Sequence, residues 1–305
     1  MQRVRGLWQG LVLGITLSSI MGTAPLRANT VWSPAGSTVE TPAESMGAPT
    51  GWADGARQSE WLMPPTLLAQ SADLVQTLQR GLDQLDAGDV EGALATFEAL
   101  APRLLAADER ATAAILLNNI GNLYDNTGRP DNARDYYQQA LTLAREIGDV
   151  DTEVTALSNL GQLNQSQGRY GEALGQLETA LGLALVYRLP ERESVLYNNI
   201  GGVYSGQGDV SRALDYYQQA LAVAQRTNDL ASQASAHGNM GSAYALLGQY
   251  DQAQQSYNTQ LSLAQQIDDS ATVLVAINNL GHLNLQRGQY DRALQQFEGY
   301  RHKAG

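Results

Sequence analysis

The sequence contains no cysteine. That excludes a disulfide framework, a thiolate-bound zinc or iron–sulfur centre, a cysteine nucleophile and an acylated N-terminal cysteine. Histidine is scarce, and His237, His282 and His302 are too dispersed along the chain to suggest a metal site. Lysine is nearly absent, Lys303 being the sole example, and 19 basic residues stand against 31 acidic ones for a formal charge of −12. Such a surface is unsuited to displacing counterions from a phosphate backbone, so nucleic acid is not expected as a partner. No nucleophile motif, phosphate-cradling glycine loop or metal-ligand spacing occurs either, which argues against an enzyme and gives no cofactor to expect.

The aromatic residues divide the chain. Trp8, Trp32, Trp52 and Trp61 all precede residue 62, whereas all 14 Tyr lie from Tyr124 onward. Residues 1–28 carry Arg3 and Arg5, then an uncharged run from Gly6 to Leu26, then small residues. This pattern predicts a secretory signal peptide and hence an exported, periplasmic or extracellular protein. The alternative is an uncleaved membrane anchor, because the run has about the ~20 residues a spanning helix needs. Cleavage after Ala28 would remove Arg3, Arg5 and Arg27 and bring the charge to −15. Between residues 31 and 70, 23 of 40 residues are Pro, Gly, Ser, Thr or Ala, with no sustained period of 2 or 3.6. Residues 29–70 therefore read as a disordered linker. Trp52, Trp61 and the Leu67-Leu68 pair are isolated apolar residues within it, or else a short docking motif.

From residue 71 the chain repeats itself. Gly81, Gly121, Gly161, Gly201, Gly241 and Gly281 recur every 40 residues. Seven residues after each stands Gly88, Gly128, Gly168, Gly208, Gly248 or Gly288, and five further on Ala93, Ala133, Ala173, Ala213, Ala253 or Ala293. Each unit resolves into two helices. Leu117, Ile120 and Tyr124 have helical spacing in the first, and Gly128 stops it with a positive φ. Pro130 opens the second, where a first-turn proline costs no hydrogen bond. Gly148-Asp149, Leu189-Pro190, Asn228-Asp229 and Asp268-Asp269 are stop-and-cap signals between units. A mid-helix Gly costs about 1 kcal/mol against Ala, so its regular return predicts a close helix–helix approach. Phe97, Tyr137, Leu177, Tyr217, Tyr257 and Phe297, four residues beyond each Ala, are expected to fill the space between helices.

The pattern Asn-Leu/Ile-Gly-x-x-Tyr…Gly-x-Tyr…Ala…Tyr…Ala-Leu, fullest in residues 117–144 and 197–224, resembles the tetratricopeptide repeat. Its 40-residue period is similar to the longer variant of kinesin light chains, G-protein-coupled spindle regulators and bacterial, notably cyanobacterial, arrays. The resemblance covers residues 77–305 and implies an all-α fold, a right-handed α-solenoid of about six helix-turn-helix repeats. Its units read as 71–116, a degenerate capping repeat, then 117–156, 157–196, 197–236, 237–276 and 277–305. In the first unit Thr77 and Arg80 stand where apolar residues belong, and the stripe shifts to Leu74, Leu78, Leu82 and Leu85.

With Leu117 numbered as position 4 of its unit, positions 4, 7, 8 and 11 fall within about 100° on a helical wheel, and positions 2, 5, 6, 9, 12 and 13 fall opposite. The second set is expected to face the concave surface on which the family holds peptides. Its candidate peptide-binding residues are Asn118, Asn119, Asn122, Asn159, Gln162, Asn198, Asn199, Asn239, Ser242, Asn278, Asn279 and His282. Positions 5 and 9 are the better candidates, because Asn at position 6 is common in the family and could instead bond the neighbouring unit. From the second unit on, no Arg or Lys occupies positions 1–13. The carboxylate clamp of co-chaperone repeats is therefore missing, whereas amides, which donate and accept at once, suit a peptide main chain. Asn164-Gln-Ser166 matches a glycosylation triplet but falls within a predicted helix.

The expected function is a non-catalytic exported scaffold that binds a protein or peptide in an uncharged, Asn-rich groove. The resemblance implies one alternative, the regulatory half of a caspase-like peptidase system with its catalytic domain elsewhere. Self-association through an uncovered last unit, with Tyr290, Leu294 and Phe297 on its outward face, is a further expectation.

Overall fold

The computed structural model describes residues 65–294. The expected signal peptide, residues 29–64 of the expected linker with Trp52 and Trp61, and Phe297 lie outside the described residues. Among those described there is no strand, and eleven helices follow one another. They are α1 (Pro65–Asp86), α2 (Val90–Ala106), α3 (Arg110–Asn126), α4 (Pro130–Ile147), α5 (Val150–Ser166), α6 (Tyr170–Tyr187), α7 (Pro190–Gly206), α8 (Val210–Arg226), α9 (Leu230–Leu246), α10 (Tyr250–Gln266) and α11 (Ser270–Gln286), and residues 290–294 begin another helix. Odd and even helices pair antiparallel, and the pairs stack as a right-handed α-solenoid.

Two boundaries differ from expectation. Helix α1 starts at Pro65, inside the expected linker, because a proline pre-set for the first turn is followed by good helix formers in Leu67, Leu68, Ala69 and Gln70. The structural units are cut at the caps, so Leu117, Leu157, Tyr197, His237 and Ile277 lie within first helices instead of at unit borders. The caps themselves are as the sequence predicts. Asp149, Asp229 and Asp269 accept hydrogen bonds from the backbone N–H groups of Thr152, Ser232 and Thr272, and Pro130 and Pro190 open α4 and α7. Each satisfies or removes a donor that a helix start leaves unpaired. Within a unit the turn runs through a left-handed glycine, Gly128 at φ 73° for example.

Packing inside a unit depends on the recurrent Gly. A Cβ built on Gly121, Gly161, Gly201 or Gly241 would lie 2.6 Å from Tyr137, Leu177, Tyr217 or Tyr257, and one on Gly81 would lie 2.2 Å from Phe97. The five large side chains are buried, as the filler role requires. In the first unit Leu74, Leu78 and Leu85 are buried along the shifted stripe, and buried Thr77 accepts a hydrogen bond from Arg103.

Between units, Glu98 on α2 accepts hydrogen bonds from Tyr124 on α3 and Tyr136 on α4, whose rings stack with centroids 5.4 Å apart. The bond to Glu98 pushes the Tyr124 hydroxyl up to about 12, with burial adding to the effect,. Tyr204 and Tyr216 repeat the stack two units later at 5.3 Å. Exposed ion pairs such as Arg129–Glu91 and Arg192–Asp151 also bridge units, but each adds little.

Overpacking a close approach is expected to cost far more than filling an open glycine site. Gly201→Leu should destabilise the protein by roughly 3 kcal/mol. Gly175→Ala, on an exposed turn of α6 with nothing within 4 Å of the added carbon, should stabilise it by about 1 kcal/mol or less. Thermal unfolding followed by circular dichroism checks both, and equal midpoints for the two variants would contradict the packing argument.

Candidate functional site

The first helices α5, α7 and α9 each pack on their own second helix, on the second helix of the preceding unit and on the first helices either side, as α5 does on α6, α4, α3 and α7. First helices thus line the inside of the solenoid. Four contacting helices bury a wider arc than a one-sided wheel allows. Position 3 (Leu116, Ala156, Leu196, Ala236, Ala276) and position 10 (Leu123, Leu163, Val203, Ala243, Leu283) are buried as well as positions 7 and 8.

The expectation that position 5 is open to the groove fails at Asn118 and Asn198. Asn118 is 5% exposed and Asn198 8%, because the first helix of the next unit covers them. Their side-chain oxygens accept hydrogen bonds from position 6 one unit on. Asn159 Nδ2 reaches Asn118 Oδ1 at 3.0 Å, Asn199 Nδ2 reaches Ser158 Oγ at 3.1 Å and Asn239 Nδ2 reaches Asn198 Oδ1 at 3.3 Å. The result is an amide ladder that ties α3, α5, α7 and α9 together. Ser158 belongs to it and was absent from the candidate set; its place at position 5 beside Asn118 and Asn198 is the signal that could have found it.

The remaining candidates are more open. At position 6, Asn119 faces a unit whose position 5 is Leu78, and Asn279 one whose position 5 is Gly238. Neither has a side chain opposite that could make a rung, and both Asn residues are half-buried. Asn278 is exposed. At position 9, Asn122 accepts from the Tyr137 hydroxyl at 2.8 Å and from Asn159, and Ser242 accepts from the Tyr257 hydroxyl at 3.1 Å. The second-helix tyrosines therefore orient groove side chains as well as filling the core, a role the repeat pattern did not disclose. Gln162 is half-buried, and Ser242 and His282 are exposed. Leu246 and Leu285, 67% and 40% exposed, add an apolar stretch at the end of α9 and α11. Asn164 of the glycosylation triplet is buried in α5 and donates to Gln176, so it is closed to modification in the folded chain.

One unit departs from the pattern. Gln260 on α10 occupies the place of Ala140, Ala180 and Ala220, is 2% exposed, and lies where a Cβ on Gly238 would be, 2.4 Å from its Nε2. Gln260 Oε1 and His237 Nδ1 are buried atoms without a hydrogen-bond partner. Burial lowers the His237 pKa, because the charged ring cannot be solvated there,. Among the described residues no group of His, Asp and Glu is placed to hold a metal ion.

Two outcomes follow. Ser158→Ala and Asn199→Ala should each cost about 1 kcal/mol, and the double variant should cost less than the sum, with a coupling of about 0.5–1 kcal/mol by urea denaturation; strict additivity would remove the rung. For His237, a depressed native pKa means that the neutral ring's contribution is complete above the unfolded value near 6.5 and is lost as pH falls through the native value. Wild type should therefore lose stability relative to His237→Leu as pH is lowered from 8 to 5, and parallel melting curves across that range would contradict it.

Comparison with known proteins accords with this architecture. Models described as tetratricopeptide repeat match residues 114–146, 152–226 and 232–298. No curated protein matches the chain. Among solved structures, aspartyl phosphate phosphatase F from Bacillus subtilis is similar with a TM-score of 0.62 at 16% identity, over 81% of this chain and 73% of that one. A Rap protein complexed with Competence and Sporulation Factor gives 0.59 at 16% identity, over 81% and 78%. A signal-transduction ATPase with a tetratricopeptide repeat sensor, from Pyrococcus horikoshii, gives 0.58 at 15% identity, over 72% of this chain but only 34% of that one, so this chain spans about a third of its length. At these identities the likeness is one of fold. The family matches extend over more than half of the sequence, and the chain belongs to the tetratricopeptide repeat family.

Proposed function

We propose that the inner face binds an extended segment of a partner protein through its main chain, and that the chain is a non-catalytic scaffold. The observation that carries this reading is the row of position-6 amides. Asn159, Asn199 and Asn239 spend Nδ2 on the ladder, which fixes each side chain, while Oδ1 has no partner among the described residues and is not sealed from solvent. Asn119 and Asn279 extend the row at either end. Pre-oriented acceptors and donors without a neighbouring cation suit a peptide backbone better than a terminal carboxylate. The similarity to a Rap protein solved with Competence and Sporulation Factor is consistent with a ligand-binding role for this fold.

Export through residues 1–28 remains part of the proposal, so the partner is sought outside the cytoplasm. A role as the regulatory half of a peptidase system would use the same face and differ only in the partner. Self-association is a second reading, favoured by Tyr290 and Leu294, which are 69% and 57% exposed at the end of the described solenoid.

The test is affinity capture from the exported fraction with the full chain, followed by titration of the captured partner. The triple variant Asn119→Ala, Asn278→Ala, Asn279→Ala avoids the ladder and should lower affinity about tenfold or more with the melting temperature unchanged. Equal affinity for wild type and variant would sink the groove assignment.

A further inference from the structure

The unit of α9 and α10 differs from its neighbours in three ways. Its first helix carries little bulk: positions 3, 4, 7 and 10 read Ala236, His237, Met240, Ala243, against Leu116, Leu117, Ile120, Leu123 in α3 and Leu196, Tyr197, Ile200, Val203 in α7. The apolar core reflects this. Two large buried clusters, one from Leu74 to Leu163 and one joining Val154 and Leu157 to Ile200 and Val203, occupy the array as far as α7, whereas α9 contributes only Met240 and Ala243 to a small cluster with Ala213 and Tyr217, and α10 and α11 share another made of Ala253, Tyr257, Leu280 and Leu283. Second, the two buried side-chain atoms that lack partners among the described residues, His237 Nδ1 and Gln260 Oε1, both lie in this unit. Third, the amide ladder ends here. Gln260 takes the space that a position-5 side chain would use, Gly238 is the residue that permits it, and Asn279 is left without a rung.

In a solenoid each unit is held by its own packing and by its two neighbours, so a unit weak in both terms uncouples what lies beyond it. We infer that the α9–α10 unit is a fault built into the array, at which the C-terminal end from Leu230 onward opens while residues 65–226 stay folded. Opening there frees the part of the inner face that carries Ser242, Asn279, His282 and the exposed Leu246 and Leu285, and leaves the rungs of α3, α5 and α7 intact. The inference concerns the fold and stands whether or not that face binds a peptide.

Hydrogen exchange read by mass spectrometry on the full chain at neutral pH tests it, because sub-global opening protects only the amides outside the opening unit. The expected result is a step between α8 and α9, with amides of α9, α10 and α11 about tenfold or more less protected than those of α5 to α8. The repair variant His237→Leu, Gly238→Asn, Gln260→Ala restores the pattern of the second unit and should raise protection in α9 to α11 about tenfold while leaving α3 to α6 unchanged. A gradual decline from α11 inward would mean ordinary fraying and overturn the fault. So would uniform protection from α3 to α10, or a repair variant that exchanges as wild type does.

Discussion

Everything in this solenoid depends on one contact, the seating of a large second-helix side chain on a first-helix glycine. With Tyr137 against Gly121 and its equivalents in other units, the two helices come close enough that a Cβ would collide. That approach sets the shape of the unit, and the identical shape of successive units lets them stack with a 40-residue period. Stacking in turn puts the first helices side by side on the inside, where Asn159 reaches Asn118 across a distance of 41 residues in sequence. The intra-unit contact comes first, and the amide ladder exists because of it.

The ladder changes what the asparagines do. An inner face rich in amides reads most simply as a set of ligand contacts, yet Asn118 and Asn198 are buried acceptors, Asn159 donates to both Asn118 and Asn122 of the preceding unit, and Asn199 and Asn239 each donate to the preceding unit once. A buried amide oxygen left unpaired would cost about 1–3 kcal/mol, so Asn159 and Asn239, which satisfy Asn118 and Asn198, stabilise the array whatever else they touch. The same bond holds the remaining carbonyl oxygen in a fixed direction. Structural and binding roles are therefore complementary here, since a side chain already ordered by the fold loses less freedom when a ligand arrives.

Much of this was legible in the sequence. The Gly and Ala spacings give the unit, Gly128 and Pro130 its turn, and Asp149, Asp229 and Asp269 its caps, because each of these residues has a local backbone reason for its position. Position 5 was not legible. A helical wheel has one buried side, and nothing within α3 or α7 reports that a further helix from the next unit will cover Asn118 or Asn198. The start of α1 at Pro65 was hidden for a different reason: a stretch rich in Pro, Thr and Ala has the composition of a linker even where its last residues continue into a helix. The pairing of Gly238 with Gln260 escaped because neither substitution is informative alone; only the folded unit brings the vacated Cβ and the longer side chain to the same space.

The absence of cysteine gains weight from that last pair. In a compact domain a poorly packed region is restrained by contacts from all sides, but a unit in a linear array has only two neighbours. No disulfide spans the array, and the ion pairs that cross units, such as Arg129–Glu91, are too exposed to substitute for one,. The strength of coupling between the two ends of the solenoid is therefore limited by its weakest unit, and the α9–α10 unit, with its Ala-rich first helix and its unpartnered His237 Nδ1 and Gln260 Oε1, sets that limit. A Leu in place of His237 would act on the whole array through this one interface, whereas the same gain in apolar bulk in α3 would reinforce a core that is already continuous.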